Sequence, residues 1–527
     1  MTELLHDLLF DTSVRTPDAA AIEHAERRLS YAELTAAVKR AAAALLECGL
    51  GRQERVAVFL PKQVETVQAM LGATAAGGVF VPVNPVLKPE QVAHILGDCN
   101  VRILLTSRAR AEELAPALAQ CHDLHTLILT DATSLAAPAH VAVRGWQTLL
   151  AEAQEHGVHR VIDCDMAAIL YTSGSTGKPK GVVLSHRNMV TGAKSVASYL
   201  GNHAPDRILA VLPFSFDYGF SQLSTAFVAG ACCVLMDYLL PRDVLKAVER
   251  KAITGLAAVP PLWVQLASLP WPDSVRRHLR YITNSGGAMP GATLAALRRA
   301  LPDTKVFLMY GLTEAFRSTY LPPDQVDTHP DSIGKAIPNA EILVVREDGS
   351  RCAPGEPGEL VHRGSLVSLG YWNDRQKTAE RFRPAPGQDS GLVLTELAVW
   401  SGDTVRTDDE GYIYFIGRRD EMIKTSGYRV SPTEIEEVVY ATGLVAEAAA
   451  FGVPHAILGH AVVLAAVAKG GAGDEKVLVD QLKTRLPTFM LPAHVTWRDS
   501  LPRNPNGKID RQRLATELAE LFEGVQT

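Results

Sequence analysis

The stretch Tyr171-Thr172-Ser173-Gly174-Ser175-Thr176-Gly177-Lys178-Pro179-Lys180-Gly181 decides how this chain reads. Three glycines, four serines and threonines and two lysines fall within eleven positions, directly after the apolar run Ala167-Ala168-Ile169-Leu170. Glycines let a backbone approach a ligand closely. Backbone N–H groups, hydroxyls and ammonium groups are what a polyphosphate needs around it. The nucleotide-binding P-loop, G-x-x-x-x-G-K-[ST], competes for this composition, but the spacing rejects it. Only two residues separate Gly174 from Gly177, and Lys178 is followed by Pro179, which lacks an N–H and opposes continuation into a helix. The expectation is a flexible lid over phosphates made by Thr172, Ser173, Gly174, Ser175, Thr176, Gly177, Lys178 and Lys180, set after a strand.

The rest of the chain bounds what such a loop can serve. A length of 527 residues exceeds one compact core and predicts two or more domains. With 47% hydrophobic and 21% charged residues the composition is that of an ordinary globular protein. A net charge of −6 leaves no basic footprint for nucleic acid and no membrane-seeking patch. The apolar stretch Val67 to Val83 is broken by glycines and Pro82, so no membrane span is expected. The 16 histidines form no H-x-x-x-H metal pair. Seven cysteines without a C-x-x-C, and an acidic start lacking a signal pattern, predict free thiols in a reducing cytoplasm.

Short β-branched runs alternate with helical patterns through most of the sequence. Arg55–Leu60, Val79–Val83, Val101–Thr106, Leu127–Thr130, Ile208–Leu212, Cys232–Met236, Tyr281–Asn284 and Lys305–Met309 read as strands. Tyr31–Glu47, Val64–Ala75, Asp243–Arg250 and Ala292–Ala300 read as helices. This alternation predicts an α/β fold of βαβ units, a large N-terminal domain of doubly wound sheets, with ligands at the carboxyl ends of strands. Near residue 340 glycines and prolines begin to punctuate short strands, which predicts a small β-rich subdomain over about 340–419. After Gly417-Arg418-Arg419-Asp420 the chain reads strand, helix (Pro432–Tyr440, with Ser431 as N-cap), strand, helix and a basic tail. The expected division is 1–419 and a small mobile α+β domain over 420–527.

Further stretches carry chemistry. Met309-Tyr310-Gly311-Leu312-Thr313-Glu314 follows an apolar strand and offers an aromatic face, a hydroxyl and a carboxylate of the kind that holds Mg²⁺ on nucleotide phosphates. Asn284-Ser285-Gly286-Gly287-Ala288 precedes it. Trp400-Ser401-Gly402-Asp403 ends on an acidic residue suited to ribose hydroxyls. Gly417–Lys424, Ser426-Gly427-Tyr428-Arg429 and Pro502-Arg503-Asn504-Pro505-Asn506-Gly507-Lys508 follow in order. Together with the phosphate loop, these motifs over residues 170–511 resemble the adenylate-forming superfamily of acyl-CoA synthetases, amino-acid adenylation enzymes and luciferases. The wider arrangement also looks like stand-alone aminoacyl–carrier-protein ligases and the AMP-forming ligases of exosortase gene clusters.

The resemblance implies roles. Tyr310 stacks on adenine, with Met309, Gly311, Gly286, Gly287 and Ala288 around the nucleotide. Thr313 contacts the α-phosphate, Glu314 holds Mg²⁺, and Asp403 and Arg418 reach the ribose. Lys508 is the catalytic lysine of adenylation. Asp420 is the hinge on which the small domain swings, and Gly427 with Tyr428 forms the thiol tunnel. ATP and Mg²⁺ are the implied cofactors, and CoA or carrier-bound phosphopantetheine the acceptor. Since no carrier domain follows residue 527, a carrier protein is expected to act in trans.

The acid itself stays open between alternatives. In Leu212-Pro213-Phe214-Ser215-Phe216-Asp217-Tyr218-Gly219, Phe216 stands where many acyl-CoA synthetases carry histidine, and Phe216-Asp217 resembles the pair whose aspartate binds a substrate ammonium. Arg317, three positions past Glu314, faces the substrate side chain in the related domains and suits a second carboxylate. It also suits a structural ion pair with Asp217. Ser221, Ser285 and Gly311 complete the expected pocket. The leading expectation is activation of a small amine-bearing carboxylic acid. The alternatives are a short, medium or aromatic acid joined to CoA, and a non-catalytic nucleotide-binding homologue.

Overall fold

The strand–helix alternation winds into two parallel sheets facing one another across buried helices. The protein is represented by a computed structural model that describes residues 3–154, 157–172, 179–289, 291–389, 391–418, 422–471, 473–502 and 509–523. In one sheet the order is Ala142–Gly145, Thr126–Leu129, Val101–Thr106, Arg55–Phe59, Val79–Pro82, Met166–Thr172 and Lys180–Ser185. All its neighbours are parallel except the last pair, which is antiparallel. In the other, Cys232–Leu235, Arg207–Ala210, Gly255–Ala258, Tyr281–Asn284 and Lys305–Tyr310 run parallel side by side.

Local chemistry sets the helices between them. Tyr31–Glu47 starts at a capping box in which the Ser30 hydroxyl accepts from the Glu33 N–H and the Glu33 carboxylate accepts from the Ser30 N–H. Val64–Ala75 is buried at nearly every position, which is why it reads as apolar all round. It lies against Tyr31–Glu47 so closely that a Cβ on Gly72 would stand 2.7 Å from the Ala41 Cβ. The apolar stretch over 67–83 is therefore core. Among the described residues no helix is long and apolar enough to cross a membrane, and the seven cysteines are all free.

The strands past residue 340 are antiparallel: Ala340–Val345, Gly358–Gly364, Leu397–Thr407 and Ile413–Arg418. They continue the second sheet, because Ser332–Ala336 pairs with Ile413–Arg418 on one side and with Thr319–Leu321 on the other. The small C-terminal domain has its own sheet, in the order Tyr428–Val430, Ile423–Thr425, Gly459–Ala468 and Val445–His455, with His494–Trp497 alongside Gly459–Ala468. Three expectations change here, and one is that the single strand expected between the two helices is the antiparallel pair Val445–His455 and Gly459–Ala468. The first strand after residue 420 is a hairpin, because Ser426 and Gly427 both take positive φ, 52° and 82°, the two-residue turn that matches strand twist. The end of the expected tail is the helix Arg511–Glu517, started by the Asp510 carboxylate accepting from the Arg513 N–H. Ser431 caps Pro432–Ala441 as read, accepting from the Glu434 N–H. The expected boundary at 419–420 lies outside the described residues.

Candidate active site

Three chain segments converge at the carboxyl ends of Gly255–Ala258, Tyr281–Asn284 and Lys305–Tyr310. The first is the phosphate-loop hairpin, whose flanks Thr172 and Lys180 are paired across antiparallel strands. Strand follows loop here, as Pro179 requires, where a P-loop would lead into a helix. Burial lowers the pKa of the Lys180 ammonium, which lies 5.6 Å from the centre of the Tyr371 ring. Ser173, Gly174, Ser175, Thr176, Gly177 and Lys178 lie outside the described residues, as do Asp420 and Lys508.

The second is the turn after Lys305–Tyr310. Tyr310 donates its hydroxyl to Asp403 Oδ2 at 2.5 Å, so two residues assigned to the nucleoside are joined across the sheet. Arg418 pairs with Asp403 through the backbone, and only its backbone is described. Thr313 opens a short 3₁₀ turn, Thr313–Ala315, and Phe316 then takes φ 53°, a strained conformation for a bulky residue. The Phe316 ring holds it there, fully buried over Gly192, where a Cβ would come within 2.3 Å of the ring. The turn sends Glu314 and Arg317 in different directions.

Glu314 is held by Tyr371, whose hydroxyl donates to Oε1 at 2.7 Å. Burial works to raise the Glu314 pKa, but the charge of Arg429 and the Tyr371 bond outweigh it, and the carboxyl is held below its ordinary value. Among the described residues Oε2 is buried without a hydrogen-bond partner. An ionised carboxylate with a spare oxygen fits Mg²⁺, a hard cation that takes one or two carboxylates and fills its shell with phosphate oxygens and water. Among the described residues no group of three or more His, Cys, Asp or Glu forms a metal cage. A hydrogen bond to a charged group contributes about 1.5–3 kcal/mol. Tyr371→Phe should therefore raise the Mg²⁺ concentration needed for half-maximal ATP–pyrophosphate exchange by roughly tenfold or more. A Mg²⁺ titration of both proteins checks this, and an unchanged midpoint would detach Tyr371 from the cation.

Arg317 turns into the core and is 2% exposed. Its Nη1 donates to Asp217 Oδ2 at 2.6 Å and to the Phe316 carbonyl at 3.0 Å, and the guanidinium lies 4.8 Å from the centre of the Tyr218 ring. Asp217 opens the helix Asp217–Ala229. The ion pair weighed from sequence is thus formed. Ser221 is buried on that helix, and Ser285 is buried beyond Tyr281–Asn284. Gly286 and Ala288 are exposed and Gly287 half-buried at the surface of the same turn. A Cβ on Gly311 would stand 3.4 Å from the Arg317 Cα. Met309 accepts from the Tyr199 hydroxyl on its sulfur, which places it behind the turn.

The third segment is the C-terminal hairpin. Gly427 is pressed on Val259, and its carbonyl lies 3.6 Å from where a Gly286 Cβ would be. Tyr428 meets the Phe216 ring edge-on at 5.1 Å and stacks on Phe489 at 3.7 Å. Gln91 Nε2 donates to Glu434 Oε1 at 3.0 Å across the same junction. Tyr371, Val259, Phe489 and Arg429 had no assigned role in the sequence reading. The Gly370-Tyr371-Trp372 aromatic pair was the one available signal.

The profile of the AMP-binding enzyme family matches residues 9–372, and that of the AMP-binding enzyme C-terminal domain matches residues 434–508. The chain is 30% identical to the L-proline–[L-prolyl-carrier protein] ligase of Pseudomonas fluorescens, over 98% of this chain and 99% of that protein. It is also 30% identical to a linear gramicidin synthase of Brevibacillus parabrevis, over 97% of this chain and 10% of that protein. The chain spans a tenth or less of the gramicidin synthase polypeptides that it matches. Among solved structures it is similar to o-succinylbenzoate CoA synthetase from Bacillus subtilis, with a TM-score of 0.82 and 27% identity, covering 96% of this chain and 97% of that one. These similarities reach the family and do not extend to the exosortase-cluster type.

Proposed function

Because the chain belongs to the AMP-binding enzyme family, we propose that it is an AMP-forming acid–thiol ligase that activates a small amine-bearing carboxylic acid in the cytoplasm. The observation that carries the reading is the Gly427 hairpin set against Val259 and Gly286, at the same strand ends that present Tyr310, Thr313 and Glu314. A thiol-guiding loop and a nucleotide-activating turn meet there.

In the first half-reaction the substrate carboxylate attacks the α-phosphorus of ATP, and pyrophosphate leaves. The chain's part is to hold the groups in line and to meet developing charge with fixed donors. Thr313 contacts the α-phosphate, Tyr310 covers adenine, and Asp403 and Arg418 take the ribose. Glu314 would hold Mg²⁺, which would supply charge neutralisation on the phosphates. Lys508 stabilises the transition state. The domain beyond about residue 419 then turns about Asp420, and the Gly427 hairpin replaces Lys508 at the site. A thiol attacks the acyl carbonyl, the C–O bond to AMP breaks, and AMP leaves. The thiol is the phosphopantetheine of a carrier protein or CoA.

Asp217 supports the amine. Its bond to Arg317 uses Oδ2, leaving Oδ1 for a substrate ammonium, and its side chain is 14% exposed. The same bond favours a second reading, in which the pair is purely structural and the acid has no amine. Incubation with ATP, Mg²⁺, candidate acids and either CoA or a phosphopantetheinylated carrier protein, followed by mass spectrometry of the acceptor, tests the proposal. A thioester with an amino acid supports it. Thioesters with simple acids alone favour the second reading, and acyl-AMP without any thioester overturns the thiol half.

A further inference from the structure

The Arg317 guanidinium has a second edge that the protein leaves unused. Nη1 is committed to Asp217 and the Phe316 carbonyl. Among the described residues Nε and Nη2 are buried with no hydrogen-bond partner. These two nitrogens share one edge of the planar group and form the fork that binds a carboxylate through two parallel bonds. A buried charged donor without a partner is costly, so this edge calls for a group that completes its pairing.

The surroundings say what kind of group completes it. Arg317 is one wall of an internal cavity of about 10 Å³, shared with Tyr218, Ser221, Thr225, Thr283 and Met309. The other polar groups there are satisfied among themselves. The Tyr218 hydroxyl is bonded to Thr283 at 2.7 Å, Ser221 to Thr225 at 3.4 Å, and Gln222 donates to the Tyr218 carbonyl at 2.9 Å. The spare hydrogen-bonding capacity therefore sits on Arg317. Thr283 and Met309 immediately precede Asn284-Ser285 and Tyr310, so the cavity lies one residue behind the nucleotide-binding turns.

We propose that the acid activated here carries a second carboxylate, seated on the Nε/Nη2 fork of Arg317, and that the substrate is a short dicarboxylic acid. The inference rests on the adenylating reading of the site. Asp217 steadies the guanidinium from the opposite edge and offers its free oxygen to an amine, so an amino dicarboxylic acid satisfies both partners. The cavity as it stands has room for about one water, so seating the carboxylate on the fork requires its walls to move apart.

The test compares shape-matched pairs in ATP–pyrophosphate exchange: succinate with butanoate, aspartate with 2-aminobutanoate, and glutamate with norvaline. Sites built around a buried polar partner reject analogues lacking it strongly. The wild-type kcat/KM should favour the diacid of the productive pair by about 100-fold or more. Arg317→Lys keeps a cation for Asp217 but loses the fork. It should cut that preference to below about tenfold while leaving KM for ATP unchanged. Monocarboxylates used as well as diacids, or an Arg317→Lys enzyme that loses both members of a pair equally, would overturn the inference and leave adenylation standing. If no acid supports exchange, calorimetric titration with the diacids separates the cases. Diacid binding that Arg317→Lys weakens would support the fork while adenylation falls, and no binding would overturn both.

Discussion

Gly427→Ala is expected to slow thioester formation about a hundredfold while ATP–pyrophosphate exchange stays within about threefold of the wild-type rate. A Cβ at Gly427 would stand 2.8 Å from the Cβ and both Cγ atoms of Val259. A β-branched side chain cannot swing aside without moving its backbone. Gly427 also has φ 82°, where any L side chain is disfavoured by about 1 kcal/mol. Overpacking of this kind costs about 1–3 kcal/mol, which lifts the docked arrangement by up to roughly two decades in rate, whereas the cost of the positive φ falls on both arrangements. The clash acts only where the hairpin meets Val259, the arrangement proposed for thiol transfer. Adding Val259→Ala removes the atoms in the way and should restore much of the lost rate. Single-turnover assays of each half-reaction, with acyl-AMP supplied for the second, measure both. Equal losses in the two would mean that Gly427 is needed for folding rather than for transfer.

The reciprocal result is expected of Lys508→Ala. Exchange should fall by roughly 10²–10³-fold, the loss seen when one preorganised donor is removed from a developing anion. Thioester formation from supplied acyl-AMP should stay within about threefold. Lys508 lies outside the described residues, but both sides of its segment are anchored. The Asp510 N–H donates to the Pro502 carbonyl at 2.8 Å, and Arg511 is paired with both carboxylate oxygens of Glu436 at 3.0 and 2.8 Å. Pro502, Asp510 and Arg511, which flank it, belong to the same domain as the Gly427 hairpin, and on the proposed mechanism one rotation exchanges Lys508 for the hairpin. Arg429 follows the same logic. Its charge helps hold Glu314 ionised in the hairpin-docked arrangement, the carboxylate assigned to Mg²⁺ in the adenylating one.

Much of this was legible before any coordinates. Val101–Thr106, Tyr281–Asn284, Tyr31–Glu47 and Val64–Ala75 stand where the sequence placed them, because burial on both faces of a parallel sheet and the Ser30 cap leave local signals. Strand ends drifted by a residue or two, as at Arg55–Phe59 and Arg207–Ala210. The motif order located the nucleotide side of the site. It could not reveal that Tyr310 holds Asp403 or that Tyr371 holds Glu314, pairs separated by 93 and 57 residues, since sequence spacing does not encode which strand ends the sheets bring together. The Asp217–Arg317 bond was one of several arrangements that the residues allowed, and only packing chose it. The left-handed Phe316 was beyond reach altogether. Nothing in a phenylalanine announces φ 53°, and what holds it there is Gly192 on a distant helix.

The central claim is that the Tyr310–Glu314 turn and its partners activate a carboxylic acid as an acyl-adenylate. The most direct measurement is ATP–pyrophosphate exchange with the purified protein across α- and β-amino acids, dicarboxylic acids and simple short, medium and aromatic acids. Mass spectrometry of the adenylate left on the enzyme would accompany it. Exchange and a bound acyl-AMP are expected with an acid bearing an amine, a second carboxylate or both. Absence of exchange and of acyl-AMP across the whole panel, in a folded protein that still binds ATP, would contradict it and mark the chain as a nucleotide-binding homologue without the ligase step.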